Sequence, residues 1–198
     1  MQRALLTLIA GLAVCSCIST QQSSPSAPAA QQQPAPRPPE PDLNAQVPTP
    51  KPGDVKSIDS ILAALYNVIS GPAGPRDWDR FRSLFLPVAR LTASSTDKEG
   101  KIHVHLRSVD DYVKGGSAYF KEHPFFESAV VNRVAHFGNV AQVFSSYESR
   151  TAPDAAPFAR GINSIQLIYD GKRWWVVSIL WDEERPDNPL PQDLALRP

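Results

Sequence analysis

The run from Arg160 to Glu184 constrains this chain more than any other. Two stretches rich in β-branched and aromatic residues meet at Tyr169-Asp170-Gly171-Lys172. An Asp-Gly pair between such stretches predicts a β-hairpin closed by a two-residue turn. That turn sets the register, and the register assigns every side chain to a face. With Tyr169 opposite Lys172, one face carries Leu167 with Trp174, Ile165 with Val176, Asn163 with Ser178, Gly161 with Leu180 and Ala159 with Asp182. The other carries Ile168 with Arg173, Gln166 with Trp175, Ser164 with Val177, Ile162 with Ile179 and Arg160 with Trp181.

The first face is the more apolar in its middle and is expected to pack on helices. Asn163 with Ser178 forms a polar couple in that wall. Buried polar groups need partners, so the couple either satisfies itself and its neighbours or lines a cavity that holds a ligand or water. The second face mixes Trp175 and Trp181 with Arg160, Arg173 and Gln166. Aromatic residues with arginine are the composition of interface cores, and Arg160 opposite Trp181 suits a cation–π contact. A homodimer through this face is the expectation. The plainer alternative is a two-sided sheet partly covered by the C-terminal tail.

The rest of the chain divides by composition. Residues 1–17 read as an export signal, with Arg3 before an apolar run from Ala4 to Val14 that is too short for a permanent membrane span. Val14-Cys15-Ser16-Cys17 resembles a bacterial lipoprotein processing box with Cys17 as the lipidated residue, although Cys15 departs from it. Ordinary secretory cleavage is the alternative. The expected location is the periplasmic or outer side of a bacterial envelope, held to the membrane by the lipid anchor.

Half of the 20 prolines fall between Pro25 and Pro52, and no aromatic residue precedes Tyr66. Residues 18–56 therefore read as a disordered Pro/Gln/Ser/Ala-rich linker, unable to bury enough apolar surface to order itself. A tether is the natural role, and a proline-rich docking ligand the alternative. The formal charge is zero, so nothing in the net charge suggests nucleic-acid binding. Both cysteines lie near the N-terminus, at Cys15 and Cys17. The remainder has no disulfide, thiol nucleophile or cysteine metal site, and no cofactor is expected.

Residues 57–185 read as one domain, followed by a tail at 186–198. Ile58, Ile61, Leu62, Leu65, Val68 and Ile69 follow the 3.6-residue period of an amphipathic helix, with Ser57 to cap it and Gly71-Pro72 to stop it. Asp77 opens a short second helix carrying Trp78 and Phe81, ended by Pro87. Val88–Ala93 and Ile102–Leu106 predict short strands. Ser108 and Asp111 approximate a capping box for a third helix bearing Tyr112, Val113, Tyr119 and Phe120, in which Gly115-Gly116 predicts a weak point. Two long strands, Phe125–Phe137 and Val140–Arg150, join at Gly138-Asn139, a second two-residue turn. In its register Glu127 opposes Arg150 as a cross-strand ion pair and Arg133 opposes Phe144. His136, Asn132, Ser145, Tyr147 and Ser128 share the other face, with Asn132, Ser145 and Tyr147 as pocket polarity.

Helices followed by long hairpins of one antiparallel sheet predict an α+β fold with helices against one face. Phe125-Phe126-Glu127 opening the first long strand, Phe137-Gly138-Asn139-Val140-Ala141 at its turn, and Asp170-Gly171 before an aromatic strand resemble the nuclear transport factor 2-like superfamily. This is the cone-shaped fold shared by ketosteroid isomerases, scytalone dehydratase and SnoaL-like cyclases. The likeness covers roughly residues 57–184 and implies a single domain of helices packed on a strongly curved sheet. That superfamily includes enzymes, ligand binders and dimerisation modules, so the fold alone names no activity.

A cone-fold enzyme needs an acid or base inside. The expected inward positions of the last strand, Trp174, Val176, Ser178 and Leu180, offer none. The candidate pocket is therefore Asn163, Ser178, Trp174, Tyr112, Asn132 and Tyr147, and the candidate interface Trp175, Trp181 and Arg160. His103 and His105 alternate onto one strand face, but a third ligand such as His123 or Asp97 would have to converge, and no metal site is expected. The favoured function is an exported, tethered, non-catalytic domain that binds a small apolar ligand or a protein partner. The alternative is acid–base chemistry of the isomerase, dehydratase or cyclase kind on a small hydrophobic substrate. A titratable residue buried beside Asn163 and Ser178 would favour the alternative.

Overall fold

A computed structural model of the chain describes residues 42–195. The expected export signal, the lipidation residue Cys17 and most of the expected linker lie outside the described residues.

Order begins earlier than the expected boundary at Ser57. A 3-10 turn at Leu43–Gln46 and a short helix α1, Pro52–Val55, precede it, and Val55 is buried. Asp54 of α1 accepts both Nε and Nη2 of Arg80 at 2.7 and 3.0 Å, a two-pronged pairing that fixes α1 to the domain.

Helix α2, Ile58–Ile69, opens where expected. Ser57 and Ser60 exchange side-chain to backbone hydrogen bonds at 3.1 and 2.9 Å. Its apolar stripe, Ile61, Leu62, Leu65, Val68 and Ile69, is buried, each side chain contributing roughly 1.5–3 kcal/mol of gross transfer free energy. Helix α3, Trp78–Arg82, is capped by Asp77. Helix α4, Val109–Glu122, carries the expected box between Ser108 and Asp111. The paired glycines in α4 differ in kind. A Cβ on Gly116 would lie 2.9 Å from Trp78 Cη2, whereas one on Gly115 would meet open space. Gly116 thus admits the Trp78 ring to the helix surface, where it stacks on Phe120 at 6.0 Å.

Six strands form one sheet: β1 Phe85–Thr96, β2 Ile102–Ser108, β3 Phe126–Phe137, β4 Val140–Arg150, β5 Ala159–Tyr169 and β6 Trp174–Glu183. Their order is β2-β1-β6-β5-β4-β3. Neighbours are antiparallel except β1 and β6, which run parallel. The sheet is curved and unclosed, and the inner face packs on α2, α3 and α4, the α+β arrangement expected.

Both hairpins depart from the expected register, β3–β4 at one extra residue and β5–β6 at a longer connection followed by one extra residue. In β3, pairing runs as expected from Phe137–Val140 to Val131–Ser146, then resumes at Ala129–Tyr147. Val130 is the inserted residue. The amide of Val131 at the bulge donates to the buried hydroxyl of Ser146 at 3.1 Å. Glu127 consequently pairs with Ser149, not Arg150, and Arg150 binds Glu148 instead.

The β5–β6 connection is four residues, not two. Tyr169 faces Trp174, because Oδ1 of Asp170 accepts the amides of both Lys172 and Arg173 at 2.8 Å and holds a wider loop open. A bulge at Val177 follows: Leu167 faces Val176, but Gln166 faces Ser178. Beyond it the odd residues of β6 turn inward, so Asn163 stands opposite Trp181 and not opposite Ser178. A bulge inserts one residue and moves every later side chain of its strand to the other face.

The tail after β6 is ordered as far as it is described. Leu190 N donates to Glu184 at 3.1 Å. Helix α5, Gln192–Ala195, lies against β3 and β4 with Leu194 buried and Asp193 paired to Arg133.

Candidate functional site

Between the inner face of the sheet and helices α2 to α4 lies a cavity of about 160 Å³. A dry cavity of about 150 Å³ is enough to accept benzene. Its walls are apolar and aromatic: Leu65 and Ile69 from α2, Phe81 from α3, Tyr112 from α4, and Leu91, Ile165, Ile179 and Trp181 from the sheet. Phe125, Phe158 and Glu183 line it as well, Phe158 with about half its surface exposed.

The bulges decide what enters this space. The insertion at Val130 turns Glu127 inward, and the insertion at Val177 turns Ile179, Trp181 and Glu183 inward. The backbone of Glu127 is held by the end of α2. Ser70 Oγ accepts its amide at 2.9 Å and donates to its carbonyl at 3.1 Å. Gly71 and Phe125 exchange backbone hydrogen bonds at 2.7 and 3.0 Å just before it. Arg76 in turn fixes the loop after α2, donating to the carbonyls of Ile69, Gly71, Pro72 and Gly74.

A hydrogen-bonded chain runs through the cavity wall. Ser149 Oγ donates to Glu127 Oε2 at 2.8 Å. Asn163 hydrogen-bonds the same carboxyl, and its Nδ2 donates to Tyr66 Oη at 3.2 Å. Tyr66 Oη meets Ser145 Oγ at 2.5 Å. Burial is the largest influence on Glu127 and raises its pKa to about 7; the hydrogen bonds from Ser149 and Asn163 oppose this, and the charge of Glu183 adds to it. Burial likewise pushes the Tyr66 phenol up to about 12. It raises Tyr112 and Tyr147 further, with the charge of Glu127 adding to both. All three phenols stay protonated at neutral pH and act as donors.

The Tyr112 and Tyr147 hydroxyls have no hydrogen-bond partner among the described residues and border the cavity. Tyr112 stacks on Phe81 at 5.2 Å and meets Trp181 edge-on at 6.5 Å. Tyr147 lies over Gly161, where a Cβ would sit 2.6 Å from its Oη and 2.4 Å from the Asp182 carbonyl oxygen. Only glycine at 161 permits that approach.

Of the expected pocket residues, Asn163, Tyr112 and Tyr147 line the cavity. Ser178 does not. The Val177 bulge turns it outward, where it donates to Gln166 at 2.9 Å. Trp174 is buried at the other end of the hairpin against Tyr169 and His136, and Asn132 lies in a separate surface groove with Asp59 and Ala63. The expected interface set is also redistributed. Trp181 points into the cavity by the same change of parity, so the Arg160–Trp181 stack does not form and Arg160 pairs with Glu184 at 2.8 Å. Trp175 is fully buried, its ring under the Arg173 guanidinium at 3.7 Å and its Nε1 donating to Asp170. His103 meets Asp97 at 2.7 Å and His105 meets Ser95 at 3.0 Å, while His123 stacks on Tyr119. Glu127 and Glu183 were missed because an uninterrupted register puts both outside, and Tyr66 because it was not counted in the apolar stripe of α2. The available signal was Ser149, which shares the inward parity of Tyr147 and so offers a partner for an acid.

A carboxyl whose pKa is higher folded than unfolded retains its proton in the native state after the unfolded chain has lost it. Its contribution is therefore lost as pH rises from about 4.5 to about 7. The carboxylates held below their ordinary range, Asp54, Asp97, Asp111 and Asp170, act in the opposite sense, but at lower pH. Thermal melting between pH 5 and 8 is expected to show falling stability in the wild type and a flatter profile in Glu127→Gln. At pH 8 the variant should gain on the order of 1–3 kcal/mol. Equal slopes for the two proteins would remove Glu127 as the buried acid.

No protein-family model matches the chain, and no curated protein sequence matches it. Solved structures share its fold. A protein of unknown function with a cystatin-like fold from Nostoc punctiforme aligns with a TM-score of 0.50 at 12% identity, over 68% of this chain and 92% of its own. A nuclear transport factor 2-like protein of unknown function from Pseudomonas putida aligns with a TM-score of 0.50 at 10% identity, over 71% of this chain and 94% of its own. Together with the order of elements and the helix-lined cavity, these likenesses identify the architecture: the chain has the curved-sheet fold of the nuclear transport factor 2-like proteins.

Proposed function

We propose that the cavity binds a small, largely apolar molecule and that Glu127 moves a proton on it. The observation that carries this reading is the buried carboxyl of Glu127, with a pKa of about 7, in a space walled by aromatic and aliphatic side chains. A general base works best with a pKa near the working pH. The two unpartnered phenols supply what such a base needs opposite it. As the Glu127 carboxylate takes a proton from carbon beside a carbonyl, Tyr112 or Tyr147 donates to the carbonyl oxygen on which charge develops. Ser149 and Asn163 hold the carboxyl in place. Non-catalytic binding was the expectation because the expected register of the last strand put no acid or base inward; with the bulges in place Glu127 enters from β3 and Glu183 from β6.

The reading is tested with the full chain in deuterium oxide, by following exchange of the acidic C–H protons of small hydrophobic ketones by NMR. Wild type is expected to exchange the protons of at least one bound ketone, and Glu127→Gln to lose roughly 10²–10⁴-fold in rate while still binding it. Binding without exchange above background in the wild type would leave a non-catalytic binding domain.

We further propose that the domain is exported and anchored through a lipid on Cys17. Acyl labelling should mark the wild type and not Cys17→Ala; equal labelling would remove Cys17 as the site. The homodimer proposal moves to other residues of the outer sheet face. Leu106, Leu180 and Phe144 fall along one row across the sheet, with Val104 beside Leu106. All four are exposed, from 43% for Phe144 to 71% for Val104. A second copy seated there should sediment as a dimer, and Leu180→Glu should shift it to monomer. A monomeric wild type would exclude the interface.

A further inference from the structure

The cavity is asymmetric in charge. Of its 17 lining residues, seven are aromatic, and the two that bear charge are both carboxylates, Glu127 and Glu183; no Lys, Arg or His is among them. The arginines nearest the two carboxylates in sequence are engaged elsewhere: Arg150 with Glu148, Arg160 with Glu184, and Arg185 with Asp182, Asp187 and the backbone carbonyl of Glu183. Among the described residues neither Glu127 nor Glu183 forms an ion pair. Two like charges acting on each other across an apolar space, with no counter-ion, favour a guest of opposite charge and repel an anion. Aromatic faces add a second preference. Their quadrupole attracts a cation, and it does so most where water is excluded.

We propose that the ligand of this cavity carries an ammonium group bearing apolar substituents, held between Glu127, Glu183 and the aromatic walls. The inference rests on the cavity being the ligand site and names the class of molecule that it takes. Glu183 is exposed and meets the incoming charge first, while Glu127 lies deeper under its hydrogen bonds from Ser149 and Asn163. The apolar substituents then pack on rings such as Tyr112 and Trp181.

This arrangement couples binding to protons. The groups facing Glu127 are Tyr66 from α2, Tyr112 from α4, Tyr147 and Ser149 from β4, Asn163 from β5 and Glu183 from β6. The phenols stay neutral, so the group that titrates near neutrality is Glu127. A cation favours its ionised form, and cation affinity therefore tightens as pH rises through about 7. A neutral ligand that accepts a hydrogen bond from the acid form shows the opposite trend.

The probes are choline and its neutral isostere 3,3-dimethylbutan-1-ol, titrated calorimetrically into the full chain at pH 6 and pH 8. Choline is expected to bind at least about tenfold more tightly than the isostere at pH 8, with a smaller gap at pH 6. Glu183→Gln should weaken choline about three- to tenfold and leave the isostere unchanged. An isostere bound as tightly as choline would overturn the cation inference and leave the apolar ligand site standing. Binding of neither would overturn both. Preference for choline unaffected by Glu183→Gln would remove Glu183 from the site and overturn the two-carboxylate arrangement.

Discussion

A β-strand shows each side chain to one face only, and alternation is strict unless a residue is inserted. The interior of this protein depends on two such insertions, at Val130 in β3 and Val177 in β6. Were β3 regular with the same residues, Glu127 would stand on the outer face beside Arg150. Were β6 regular, Trp181 and Glu183 would lie outside and Ser178 and Leu180 within. Each bulge sits mid-strand: in β6 Trp174 and Val176 before it join the hydrophobic core and Ile179, Trp181 and Glu183 beyond it line the cavity, whereas in β3 Glu127 before the bulge lines the cavity and the half after it is exposed. At Val130 the break in pairing is accommodated by Ser146, which receives the freed amide of Val131.

Placing a carboxyl under an aromatic wall costs free energy, and the surroundings offset only part of it. Ser149 and Asn163 give Glu127 two hydrogen bonds, yet its pKa still rises, so desolvation outweighs them. The neighbouring polar groups are arranged around that acid. Asn163 divides its donors between Glu127 and Tyr66, and Tyr66 passes the chain on to Ser145. Helix α2 is thereby joined through one phenol to the neighbouring strands β4 and β5, while Ser70 joins its end to β3. The helix that covers the sheet is also the helix that holds the site.

Much of this was legible in the chain. Ser57 and Ser108 cap the helices they were expected to cap, the stripe of α2 is buried as its periodicity requires, and Gly138-Asn139 closes a two-residue turn with the expected pairing out to Val131. Asp170-Gly171 departs from its expected turn for a local reason. The side chain of Asp170 binds two amides and the Trp175 indole, and this wider loop outweighs the intrinsic preference of an Asp-Gly pair. The bulges were illegible because Val130 and Val177 carry no mark. Both are β-branched residues that suit a regular strand as well as any. Tyr147 and Asn163 could be placed by strand parity within unbroken segments and Tyr112 by its place on a helix; Glu127 and Glu183 lie beyond the breaks, and so the acid was lost with the register.

The Val130 bulge also bears on how such a site persists over generations. Pairing on either side of it is regular, so a chain lacking that one residue could close the ladder with Glu127 still opposite Ser149. The bulge absorbs a change of length between the Gly138-Asn139 turn and the acid, and the acid stays where it is. Lineages sharing this scaffold can therefore differ by a residue here and keep the carboxyl in the same place. Counting back from the turn would then point to the wrong side chain in one of them, whereas matching against the partner strand, and Ser149 in particular, would find the acid in both.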